Sequence, residues 1–324
     1  MSIITLTTQG SKLRKISRRI ILENSDQKML ELPVRKLDGV ITFGNIQFSN
    51  QAVSLLSNNG IPLTYLSYSG KPKGQFLPIR TKNLDLRYSQ YKISDNDDIA
   101  LQFAKSFVFG KIISAKNFIK KAKRISDKPN FDEYISKLNH LGLKVMAASN
   151  YQSLLGFEAN VSKTHFNLLS NLFKKELTFK KRTMHPPEDE VNALMSLTYT
   201  LFKNLINAIV NGSGLDIYVG YLHKKDYART SLSFDILELF RFDVADKFVL
   251  NLTNLGIIKS SDFESNSHFR LNQEGLRKYM AKWVELIHQE NDGTTIIKKI
   301  SLVTDALIKG VRENNAPNFK TVMA

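Results

Sequence analysis

At 324 residues the chain is longer than one hydrophobic core usually serves, so two domains are expected, and 42% hydrophobic with 23% charged residues is the composition of a folded globular protein. Lys and Arg number 46 against 30 Asp and Glu, a net charge of +16 that draws polyanions, either nucleic acid or an anionic membrane surface. The absence of cysteine excludes disulfides, thiolate zinc sites and cysteine nucleophiles together.

From Met1 to about Leu86 the sequence reads as short strands. Ser2 to Leu6, Arg18 to Glu23 and Gly39 to Phe43 are brief β-branched runs, parted by turn residues at Gly10, Asn24 to Asp26 and Leu37 to Gly39. The N-terminus lacks the charged and apolar regions of a secretory signal, and no apolar run approaches the ~20 residues of a bilayer span, so a cytoplasmic location is expected. One helix interrupts the strands: Ser49 caps Asn50 to Asn58 and Gly60 ends it. Strands resume at Pro62 to Tyr68 and at Gln75 to Pro78.

Residues 87–98 are polar and read as a linker. Beyond them apolar residues recur at helical spacing. Asp95 to Lys123 carries Ala100, Phe103, Ala104, Phe107, Val108 and Ile112 on one face, with acids in the first turn and lysines in the last. Further helices are predicted over Phe131 to Leu141, Leu154 to Phe173, Asp189 to Val210, Ser231 to Leu255, Asn272 to Gln289 and Thr294 to Asn314, before a frayed tail, Asn314 to Ala324. The expected fold is α+β: a β-rich, β-sandwich-like domain over 1–86, the linker, and a larger all-α domain over 99–324.

Chemistry concentrates in the segment Ser231 to Leu250. Apolar residues fall on nearly every side of this helix, so it should be buried, yet Asp235 and Glu238 share one face. Burying ionised carboxylates costs several kcal/mol unless something compensates. Arg229 and Arg241 are one candidate, in a purely structural network; a divalent cation is the other. His223 precedes the pair by twelve and fifteen residues, and a mixed nitrogen and oxygen donor set suits Mn²⁺ or Mg²⁺. Glu158, just after Gly156 and close to the start of an apolar helix, is either a dipole partner or a further ligand.

Three segments, Gly156-Phe157-Glu158, Gly220-Tyr221-Leu222-His223 and Ser231-Leu232-Ser233-Phe234-Asp235-Ile236-Leu237-Glu238, resemble in order and spacing the CRISPR-associated endonuclease/integrase family of spacer acquisition. Arg182, Pro186-Pro187, Asp189, Asn192-Ala193-Leu194, Ser196 and Tyr199 extend the likeness, as does the stretch from Gly39 to Leu66. Departures are Ala159 and His165, where the family often has Gly and Tyr; His165 is read as a packing or phosphate-contact residue rather than a ligand. The resemblance implies that Glu158, His223 and Glu238 hold one Mg²⁺ or Mn²⁺ ion with Asp235 as an accessory. It implies an integrase that inserts spacer DNA by attack of a 3′-hydroxyl on a repeat-boundary phosphodiester, and a nuclease when water attacks instead. Lys224, Lys225, Arg229 and Arg241 would position phosphates, with Lys174-Lys175 and Lys180-Lys181-Arg182 as a wider electrostatic footprint. The implied partners are double-stranded spacer and repeat DNA, a second copy of the chain joined through the β-rich domain, and a small ferredoxin-like CRISPR-associated protein. A transposon-type integrase and a non-catalytic DNA-binding scaffold are the alternatives.

Overall fold

The computed structural model describes residues 3–323, apart from 26, 79–82, 125–128, 175, 178, 184–185, 225, 265–268 and 291–292. Eight strands come first: β1 (Ile3–Leu6), β2 (Lys12–Ile16), β3 (Arg19–Asn24), β4 (Gln27–Pro33), β5 (Gly39–Phe43), β6 (Gln47–Phe48), β7 (Leu63–Leu66) and β8 (Pro72–Phe76), with helix α1 (Asn50–Asn58) between β6 and β7. They form two four-stranded sheets, ordered β1-β5-β7-β8 and β4-β3-β2-β6. In the first, β5 pairs parallel to both neighbours, Thr5 opposite Ile41 and Ile41 opposite Thr64, and its five residues are all buried. That burial explains why its sequence is a continuous apolar run rather than an alternating one.

A small core lies between the sheets and α1: Leu6, Val40 and Leu63 from one sheet, Leu13, Ile20 and Leu22 from the other, and Ala52 and Leu56 from the helix. Ser49 caps α1, its Oγ accepting from the Ala52 N–H at 3.2 Å, and Gly60 follows at φ 76°. Both were expected from the sequence.

Helices α2 (Leu84–Asp95), α3 (Asp97–Ala122), α4 (Phe131–Ala147), α5 (Tyr151–Ser170) and α6 (Glu190–Ser213) follow. Next comes a long interrupted helix: α7 (Ser231–Phe240), a π-helical turn over Arg241–Asp246, and α8 (Lys247–Asn254). A short ribbon of β9 (Phe263–Glu264) and β10 (Arg270–Leu271) leads to α9 (Gln273–His288), α10 (Ile296–Glu313) and α11 (Lys320–Met323). The α+β architecture, strands first and helices after, is as the sequence indicated. By length and composition α6 could cross a membrane, but 61% of its most apolar window is buried against the other helices.

Three local expectations are corrected. The polar stretch 87–98 is helix rather than linker, because Gln90 and Ile93 of α2 turn inward and are buried. The two halves also share one core, since Ile41, Phe43 and Leu66 of the first sheet belong to the helical cluster. The tail is docked rather than frayed: Phe319 is 2% exposed, 5.0 Å from the Phe107 ring, and the Asn117 amide donates to the Met323 carbonyl at 2.7 Å.

Helix α3 is the axis of this half, packed against α4, α5 and α7. A Cβ built on Gly110 would lie 2.2 Å from Leu239 Cδ2, so any larger residue there would oblige the Leu239 side chain to move.

Candidate active site

The buried carboxylates of α7 set the geometry. Asp235 is 0% exposed, and its two oxygens are fully used. Oδ2 accepts the N–H groups of Tyr221 and Leu222 at 2.6 and 3.0 Å; Oδ1 accepts the His223 N–H at 2.9 Å and lies 2.7 Å from His223 Nδ1. The carboxylate therefore organises the Gly220–His223 turn and orients the imidazole, with Nδ1 as donor and the lone pair left on Nε2. Gly220 is required by contact, since a Cβ there would meet the His223 carbonyl at 2.7 Å and the backbone of Ser231 at 2.8 Å. Asp235 thus stands beside His223 as an accessory that orients the ring, with both oxygens taken by donors of the turn.

The supposed linker helix braces the same turn. Gln90 donates to the carbonyls of Asp216 and Val219, both at 2.9 Å, and accepts from the Asp216 N–H at 2.8 Å; Arg87 donates to the Gly214 carbonyl at 3.1 Å.

Glu238, one turn beyond Asp235, is 2% exposed. Its Oε1 pairs with Arg241 at 2.9 Å, while Oε2 lies 2.5 Å from Lys111 Nζ. Burial alone would raise this carboxyl; Arg241 and Lys111 together outweigh it and hold the group at about 2. Glu158 reaches the same ammonium from α5, with Ser162 Oγ donating to its Oε1 at 3.0 Å. It is not near a helix start: α5 begins at Tyr151 behind the Asn150 cap, so Glu158 sits two turns in and dipole pairing does not explain it. Two residues earlier, a Cβ on Gly156 would meet nothing within 4 Å. Among the described residues no packing calls for that helix-weakening residue.

The remaining residues named from sequence divide. Arg241 is turned inward onto Glu238 and lies 4.8 Å over the Tyr199 ring, a correction to its reading as a phosphate contact, since the carboxylate engages it. Arg229 lies 5.4 Å over Phe234. Lys224 is exposed, 4.9 Å over the Tyr151 ring and 3.7 Å from Asp97. Lys225 and Lys175 lie outside the described residues. His165 is 2% exposed, stacks on Phe242 at 3.7 Å and bonds Asp246 Oδ2 at 2.9 Å, while Asp246 Oδ1 takes the Tyr199 hydroxyl. Packing is its role here.

Lys111 was missed, although a signal was there: it falls on the stripe of Phe107, Val108, Ile112 and Ala115, where a solvated lysine has no place. Among the described residues no three carboxylate or imidazole groups are gathered closely enough to hold an ion as they stand. Glu158 and Glu238 instead enclose an ammonium. The donor set nonetheless fits a divalent ion: two carboxylates from different helices already closed on one cation, and an imidazole fixed by a carboxylate behind it.

A family profile described as CRISPR associated protein Cas1 matches residues 4–285. The chain belongs to the Cas1 family. It is 30% identical over 279 residues to the CRISPR-associated endonuclease Cas1 3 of Thermus thermophilus, covering 86% of this chain and 80% of that one. To the CRISPR-associated endonuclease Cas1 1 of Thermodesulfovibrio yellowstonii it is 30% identical over 300 residues, 90% of this chain and 92% of the relative. A solved Cas1 protein from Thermotoga maritima has the same fold, with a TM-score of 0.74, 24% identity and coverage of 97% and 99%. So does a casposase bound to integration product, with a TM-score of 0.75, 22% identity and coverage of 99% and 98%. A chain in a partial Cas6-RT-Cas1–Cas2 complex superposes at 0.82, with 22% identity over 99% of this chain and 98% of that one. Cas1 architecture thus spans the whole chain, and Glu158, His223 and Glu238 occupy its helical half.

Proposed function

We propose that this Cas1 protein joins spacer DNA to a CRISPR array: the 3′-hydroxyl of an incoming duplex attacks a repeat-boundary phosphodiester in line and expels the 3′-oxygen already there. The observation that carries the reading is that Glu158 and Glu238, from different helices, close on one cation while Asp235 holds the His223 ring by Nδ1, with no partner on Nε2 among the described residues. These three side chains would hold Mg²⁺ or Mn²⁺, which when bound polarises the attacked phosphate and stabilises the charge developing on it.

The chain's own residues supply the rest. Asp235 keeps the imidazole in one tautomer and one orientation. Arg241 keeps Glu238 ionised inside a nonpolar wall. At the mouth, Lys224 and Arg229 position the backbone phosphates, which fixes register without reading sequence. The open surface at Gly156 leaves a flat approach beside Glu158. With water in place of the 3′-hydroxyl the same site cuts DNA. The proposed partners are double-stranded DNA, a second copy of this chain and a small ferredoxin-like partner; a Cas1–Cas2 assembly and a casposase on its DNA product built on the same fold support this.

The test is strand transfer of a labelled duplex into a CRISPR repeat with Mg²⁺ or Mn²⁺, comparing wild type with His223→Ala and Glu238→Ala. Loss of transfer in both variants is expected. Equal activity in all three removes the site. Transfer without preference for a CRISPR repeat favours the transposon-type reading.

A further inference from the structure

Lys111 has 0% exposure, and three groups face its ammonium: Glu158 of α5, Glu238 of α7, and the ring of Phe242, whose centroid is 5.1 Å from Nζ. A lysine buried only for structure needs one carboxylate. This one takes two, from separate helices, and both are residues the reading above assigns to the metal. Magnesium takes its oxygen ligands at about 2.0–2.1 Å, so an ion bound by both carboxylates would lie where Nζ now lies.

We propose that Lys111 is the resident counter-ion of the metal site. Ammonium and divalent ion exclude one another between Glu158 and Glu238, so the lysine balances the carboxylates in the metal-free protein and weakens metal binding by the protein alone. Once displaced inside the pocket, the ammonium has the Phe242 ring as its remaining nearby partner and needs an anion. A DNA phosphate brought against the metal is that anion. Metal and DNA therefore tighten each other's binding through this side chain, by the same factor in either direction. The inference rests on the metal reading of Glu158 and Glu238.

Mn²⁺ binding to the full-length protein, followed by electron paramagnetic resonance with and without a short duplex, tests it. Lys111→Met removes the charge and keeps the length, and Glu238→Gln removes a proposed ligand. Lys111→Met should bind Mn²⁺ alone at least about tenfold more tightly than wild type, because a competing cation is gone from a low-dielectric site. The duplex should tighten Mn²⁺ binding more in wild type than in Lys111→Met. Equal affinity of wild type and Lys111→Met, with Glu238→Gln weaker, overturns the counter-ion and leaves the metal site standing. Affinity indifferent to Glu238→Gln overturns the site and this inference with it. A measurement on wild type does not depend on the variant folding: the ¹⁵Nζ resonance of Lys111 should move or broaden on saturation with Mg²⁺, and an unmoved resonance overturns the proposal.

Discussion

Replacing Asp235 by Asn tests whether a buried carboxylate builds the histidine turn. Each of its oxygens receives two donors: Oδ2 the N–H groups of Tyr221 and Leu222, Oδ1 the N–H and ring Nδ1 of His223. Asparagine keeps the shape but turns one oxygen into a donor. Whichever way the amide lies, its nitrogen confronts at least one main-chain N–H at a position with 0% exposure. Two hydrogen bonds to a charged acceptor are lost, each worth about 1.5–3 kcal/mol, so the variant should be about 3–6 kcal/mol less stable. With the amide nitrogen toward His223, the ring must also change tautomer, which takes the lone pair from Nε2. Urea unfolding of both proteins at neutral pH measures the first effect, and strand transfer below the unfolding transition measures the second. Stability within about 0.5 kcal/mol of wild type, the size of an ordinary surface substitution, would refute the claim that Asp235 holds this turn together.

Three further outcomes follow from the same contacts. Glu238 has a folded pKa of about 2 against an ordinary 4.5, so the folded state binds its proton less readily than the unfolded one. Its contribution, on the order of 3 kcal/mol, is present above pH 4.5 and disappears as pH falls towards 2; the stability of Glu238→Gln should lack that part of the decline. Phe319→Ala empties a buried position against Phe107 and Gly110 and should cost about 3–5 kcal/mol by chemical denaturation, whereas a loose tail would make it neutral. Affinity for duplex DNA should fall about a thousandfold or more between 50 and 200 mM salt in a gel-shift or anisotropy titration if about six phosphates are contacted, and a flat salt profile would deny the +16 charge its expected part in binding.

Much of the fold was legible because long helices announce themselves through spacing. The residues of α3 that sequence placed on one face, from Phe103 to Ile112, are buried, and Asn96, Asn272 and Thr295 cap the helices they precede. Strands β2 and β4 were not foreseen, since β2 buries only Leu13 and β4 no residue fully, leaving no alternation to detect. The linker was misjudged because α2 shows a charged outer surface, and its inward Gln90 is polar for a reason found 126 residues away in the turn it supports. Motif spacing singled out Glu158, His223 and Glu238, and the structure brings the two glutamates onto one ammonium. Spacing could not show that Asp235 is consumed by backbone donors or that Lys111 stands between the two glutamates, because both facts depend on which helices meet. The π-helical turn at Arg241–Asp246 leaves no periodic mark either, yet it lies between the arginine that pairs with Glu238 and the aspartate that holds His165.

The bare α-carbon hydrogen of Gly110 has an effect one position along the chain. Lys111 meets Glu238 where α3 packs against α7, and the residue beside it in the chain, Gly110, leaves room there for the end of the Leu239 side chain. A methyl group there would overlap Leu239 Cδ2, so the Leu239 side chain would have to turn aside at the seam that Lys111 crosses. The seam crossed by the pocket's buried ammonium is thus shaped in part by a residue that carries no charge and never touches the carboxylates.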